Sequence, residues 1–205
     1  MKPAFPGNSP GKRLARSILY KHALGSARVG HALTLAGPDP LEELELLRGY
    51  LKWPGDRTWF IDNKQSPEIR KALRSIKAKW PEAHVENKDL KKVLDKLPVI
   101  GFANLDFMGF LTDDNVLPCV KLTVKRLVSG GVLGFTWFRG REKSHHTSFQ
   151  KVLKHSGGYK NLNDKRWTGT TRVINKATGG SLELLEALEY HNNKSPMSLM
   201  VFRKK

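Results

Sequence analysis

The sequence predicts an α/β protein of three layers: a mostly parallel sheet, helices on both of its faces, and an antiparallel hairpin at the C-terminus. Three observations carry this. Between positions 31 and 138, short apolar runs alternate with amphipathic segments of 8–15 residues, the pattern of βαβ units. Two of the runs, 99–105 and 132–138, are apolar without alternation, as strands covered on both faces are. The chain then ends in two strand-like stretches around Asn192-Asn193-Lys194-Ser195-Pro196, a short turn between antiparallel partners.

Taken in order, residues 1–12 hold three prolines and two glycines and read as an extended arm. Arg13 to Ala23 is a short basic amphipathic stretch with Leu14, Ile18 and Leu19 on one side. It either docks on the body or lies along a nucleic-acid backbone. The expected division is a basic, partly flexible arm over 1–27 and an α/β domain over 28–205. Within that domain, about 139–180 forms a polar, basic insertion with a helix near 143–155.

His31 to Ala36 is a strand closed by Gly37-Pro38-Asp39-Pro40. Leu41, Leu44, Leu47 and Leu51 set one face of a helix opened by Pro40 and early glutamates. Arg57–Ile61 is a second strand, and Ser66-Pro67-Glu68 opens a helix reaching about Trp80. Ala83–Glu86 is a weaker third strand, followed by a short helix from Asp89 to Leu97. Val99–Leu105 is the fourth strand, Val116–Val128 a helix closed by Gly130-Gly131, and Val132–Phe138 the fifth strand.

The 205 residues carry 36 Lys+Arg against 19 Asp+Glu, a net charge of +17 that is unevenly placed. Residues 1–30 contribute +6 and residues 121–177 contribute +11, while 31–120 sum to −1. Two clustered basic stretches point to a polyanion, with phosphates the commonest target; a merely solvated basic face is the bland alternative. The candidate contacts to nucleic acid, DNA or RNA, are Lys12, Arg13, Arg16, Arg139, Arg141, Lys143, Lys165 and Arg166. No apolar run is long enough to span a bilayer or to serve as a secretory signal, so an intracellular protein without a membrane partner is expected. The single Cys119 rules out a disulfide scaffold. His145, His146 and His155 lack accompanying cysteines or regularly spaced carboxylates, so no metal site is expected.

Ligands of open α/β sheets bind at the carboxyl ends of the strands. Acids stand at four such tips here: Asp39, Asp62, Asp89 and Asp106. Singly, such acids are usually N-caps or turn formers. Together they suit a ligand with a ribose and an amine, because a carboxylate after a second strand can accept both ribose hydroxyls.

The order of elements, with Phe60-Ile61-Asp62-Asn63, Asn104-Leu105-Asp106-Phe107-Met108-Gly109, Leu127–Leu133 and the closing hairpin, resembles the class I S-adenosylmethionine-dependent methyltransferases. The likeness spans roughly residues 28–205 and implies their Rossmann-like fold and their cofactor. It implies that Ala36, Gly37 and Pro38 hold the methionine part of S-adenosylmethionine. Asp62, with Asn63, would bind the ribose, Asp89 would meet the adenine amino group, and Asn104 and Asp106 would face the substrate. The first loop has one glycine and two prolines where the family has more glycines, and those prolines stiffen it and remove two donors, which points to weaker or altered cofactor binding.

The leading expectation is therefore a methyltransferase acting on nucleic acid, with Asp106 orienting or deprotonating the acceptor. A binding or accessory protein that keeps the fold without catalysis is the alternative. An enzyme on a small anionic substrate, with the basic patch as a funnel, is a third and weaker option.

Overall fold

The computed structural model describes residues 9–24, 29–37, 40–97, 99–107, 116–138, 170–172, 174–192 and 195–205. Seven strands form one sheet: β1 (His31–Leu35), β2 (Thr58–Ile61), β3 (His84–Glu86), β4 (Ile100–Asp106), β5 (Leu127–Phe138), β6 (Leu182–Asn192) and β7 (Ser195–Lys204). Their order is β3-β2-β1-β4-β5-β7-β6. Neighbours from β3 to β5 are parallel, whereas β7 runs antiparallel to both β5 and β6. Six strands thus point one way and β7 alone is reversed. The expected mostly parallel sheet with a terminal antiparallel hairpin is what forms.

The helices are α1 (Pro10–Leu24), α2 (Leu41–Glu45), α3 (Pro67–Lys79), α4 (Leu90–Leu94) and α5 (Val116–Arg126). One face of the sheet, with Leu33, Ile61, Leu105 and Phe135, packs on α4 and α5; the other, with Ala32, Phe60, Phe102 and Val132, packs on α1, α2 and α3. Four of the seven β4 residues, Ile100, Phe102, Ala103 and Leu105, are hydrophobic and fully buried, which is why this central strand reads as an apolar run. Helix α3 shows the local logic well. Ser66 caps it by accepting from the Ile69 N–H, Pro67 opens it, and Ile69, Ala72, Leu73 and Ile76 are buried. Among the described residues no helix is long and apolar enough to cross a membrane.

Three details differ from expectation. Residues 10–24, within the expected basic, partly flexible arm, form helix α1, which takes the docked alternative: its Ala15, Leu19, Tyr20 and Ala23 are buried in the core. Gly134 of β5 lets it approach: a Cβ there would lie 2.5 Å from Leu19. The helix expected over 41–51 leaves α geometry at Leu46 and continues as a π-helical turn, Leu46–Tyr50, with the Leu51 N–H bonded to the Leu46 carbonyl. Strand β5 starts at Leu127, five residues early, because Gly130 (φ +77°) takes up a register shift against β4 instead of ending a helix. The expected helix near 143–155 and most of the insertion at 139–180 lie outside the described residues.

Candidate functional site

At the β1 tip the chain leaves the sheet through a left-handed glycine. Ala36 is buried and its N–H donates to the Ile61 carbonyl at 2.9 Å, which ties the tip to β2. Gly37 follows with φ +62°, and a Cβ there would meet nothing within 4 Å, so open space adjoins the turn. Below it on β1, the buried Thr34 hydroxyl has no hydrogen-bond partner among the described residues, and its neighbours across the strand pairs are Phe60 and Asn104. Pro38 lies outside the described residues.

The tips of β2 and β3 are stitched together. The Asp62 N–H donates to the Glu86 carbonyl, and the Asn87 side-chain amide donates to the carbonyls of Asp62 and Lys64, both at 2.9 Å. Asp62 is half-buried, with Oδ1 accepting the Lys64 N–H at 2.8 Å; Asn63 is exposed. Asp89 N-caps α4 by accepting the Lys91 N–H at 2.8 Å. Each of these acids thus has the local duty that isolated tip carboxylates usually have, and each spends one oxygen on it.

The β4 tip is different. Asp106 ends the strand in an ion pair with Lys12 from α1 at 2.7 Å, and its other oxygen accepts a hydrogen bond from the Thr136 hydroxyl of β5. Burial alone would push the Asp106 carboxyl up. The Lys12 charge, the hydrogen bonds from Lys12 and Thr136, and Arg16 behind them outweigh this and hold it below the usual carboxylate range. At neutral pH it is an ionised, acceptor-only group. Asn104, two residues earlier, is buried. Both line a small cleft that continues to Tyr190 of β6 and Glu43 of α2.

Glu43, which the sequence did not single out, anchors this cluster. It is 2% exposed, accepts from Arg16 Nε at 2.6 Å and from the Tyr20 hydroxyl, while Glu42 takes a second Arg16 nitrogen. The signal was its place beside Leu44 and Leu47 on the buried side of its helix. Two of the expected nucleic-acid contacts, Lys12 and Arg16, therefore have carboxylate partners inside the protein, while Arg13 is exposed. Arg139, Arg141, Lys143, Lys165 and Arg166 lie outside the described residues. Cys119 is buried, and burial pushes its thiol up to about 11, an inert state for a nucleophile. Among the described residues no group of three or more potential metal ligands gathers.

No family model matches the sequence, nor does any curated protein. Solved structures do match. The N-methyltransferase NodS from Bradyrhizobium japonicum WM9 aligns with a TM-score of 0.57 at 17% identity, over 96% of this chain and 98% of that one. An rRNA methylase from Streptococcus thermophilus gives 0.55 at 10%, over 91% and 94%. TrmN from Thermus thermophilus gives 0.57 at 11%, over 94% of this chain and 48% of that one. At such identities the likeness is one of fold: the chain has the Rossmann-like class I methyltransferase fold.

Proposed function

We propose that the protein is an S-adenosylmethionine-dependent methyltransferase whose acceptor lies on a nucleic acid. The observation that carries the catalytic part is Asp106: an ionised carboxylate at the β4 tip, opening on a cleft one strand away from the Gly37 turn. The cofactor fits these tips. The Thr34 hydroxyl is an orphan beneath the β1 turn, the space beside Gly37 is open, and Asp62 and Asp89 each keep a second oxygen beyond the one their turn or cap uses. Ala36 and Gly37, with Pro38, hold its methionine end; Asp62, with Asn63, takes the ribose, and Asp89 the adenine amino group. Bound there, S-adenosylmethionine supplies an electrophilic methyl group on a sulfonium.

The chain's own part is positioning. Asp106 accepts an N–H or O–H from the acceptor and turns its lone pair toward the cofactor side, and Asn104 presents a second polar group beside it. Lys12 must yield or share Asp106 for this to happen. Support for nucleic acid comes from the two basic stretches of the sequence and from the rRNA methylase among the fold neighbours. A second reading, a nucleic-acid-binding protein without catalysis, draws on the same Lys12–Asp106 pair and on the two prolines of the first loop.

Calorimetric titration with S-adenosylmethionine and S-adenosylhomocysteine separates the two. Heat of binding and a thermal shift are expected; neither at millimolar ligand would overturn the enzyme. Affinity for labelled DNA or RNA should fall steeply between about 50 and 200 mM salt, and a flat response would remove nucleic acid as the partner.

A further inference from the structure

We propose that the outer face of α3 is a docking surface for the phosphate backbone of a nucleic acid, a role that rests on the polymer partner proposed above but not on catalysis. Helix α3 lies in the stretch 31–120 whose charges nearly cancel along the sequence, so a count by segment hides it. Folding separates those charges. At 100° per residue, Arg70, Lys71, Arg74 and Lys77 fall within an arc of about 120°, opposite the arc of Ile69, Ala72, Leu73 and Ile76 that is buried. All four cations are exposed. The helix has one acid, Glu68, on the flank of its first turn.

None of the four cations meets a carboxylate among the described residues. Arg70 donates to Gln65, and Lys77 donates to the carbonyls of Pro81 and Ala83. Elsewhere among the described residues Lys12, Arg16 and Lys88 are in ion pairs, while scattered exposed lysines such as Lys92 and Lys121 are not. What sets α3 apart is the clustering, because like charges three and four apart on a helix repel. Arg70/Arg74, Lys71/Arg74 and Arg74/Lys77 are three such pairs, each unfavourable by about 0.2–0.5 kcal/mol. Arg48 extends the patch: it donates to the Lys79 carbonyl at the end of α3 and lies 6.0 Å over the Trp80 ring. A surface that keeps self-repelling cations unpaired is suited to a polyanion. From Arg70 to Lys77 the stripe runs about 10 Å, over which a duplex presents about six phosphates.

The test uses the full chain and fluorescein-labelled 30-nucleotide probes of mixed sequence, as single-stranded DNA, single-stranded RNA and duplex, with anisotropy read across a salt series. The triple variant Arg70→Gln, Lys71→Gln, Arg74→Gln should bind at least ten-fold more weakly at 100 mM salt. Its log–log salt slope should be shallower by about 2–3, as loss of three phosphate contacts requires. A control of equal charge, Lys92→Gln, Lys121→Gln, Lys125→Gln, alters exposed residues of α4 and α5 and should keep the slope to within about 0.5. Thermal melts show that both variants fold. If the native chain binds a probe and the α3 variant matches it, or if both triple variants lose affinity equally, the surface is overturned while the polymer partner stands. If the native chain binds no probe, both fall together.

Discussion

Glu43→Gln tests whether α1 is built into the domain. The carboxylate is 2% exposed, and its two oxygens take Arg16 Nε and the Tyr20 hydroxyl. Gln keeps the volume but supplies one acceptor and one donor: with its oxygen on Arg16, its amide can only donate to the Tyr20 oxygen, so the charge is lost and the Tyr20 O–H loses its acceptor. Breaking one side of a buried ion pair usually costs about 3–5 kcal/mol. Arg16 keeps its bond to the less buried Glu42, which moderates the loss to about 3 kcal/mol. For a chain of this size that lowers Tm by about 6–12 °C. Urea denaturation followed by circular dichroism gives the free energy, and a cycle with Arg16→Met gives the coupling, expected to exceed about 1 kcal/mol. A loss below about 1 kcal/mol, or strictly additive single changes, would show that Glu43 does not hold α1 in place.

Asp106 contributes stability above the ordinary carboxylate range, because its folded pKa is depressed; that stability is lost as pH falls through this range toward the folded value, and Asp106→Asn should flatten that acid limb of the stability curve. Cys119, raised to about 11, holds its proton in the fold after the unfolded thiol has ionised. Its share of stability should therefore be intact below about pH 8.5 and lost as pH rises toward the folded value, and an aromatic disulfide reagent at pH 8 should label it only in urea. Asp62→Ala should weaken S-adenosylmethionine by ten-fold or more. Asp62→Asn keeps the turn bond to Lys64 and separates that loss from simple damage to the loop; equal affinity in both variants and the native chain would dismiss the ribose role.

What the sequence revealed and what it hid follow one physical division. Strands β1, β2, β4 and β5 were legible because burial on both faces demands unbroken apolar runs, a purely local signal. The amphipathic stretch of α1 was legible too, but not which of its two fates it takes, because four Lys/Arg lie within it and its buried face is built partly of alanines. What neutralises those cations lies far along the chain: Asp106 is 94 residues from Lys12, and Glu43 is 27 from Arg16. No local pattern reports a partner at that distance. The same limit explains α3, whose charges vanish in a sum over 31–120 and reappear once the helix sorts them by face. At the site, local rules gave the tip acids but not their state. Asp62 and Asp89 are each held by the N–H two residues ahead, whereas Asp106 draws its partners from α1 and β5. Asp106 is thus the tip acid whose charge is set by the tertiary fold rather than by its own loop. That makes it the position where displacing α1 would change chemistry as well as packing: loss of Lys12 raises the carboxyl toward its ordinary range and frees one oxygen for an incoming donor.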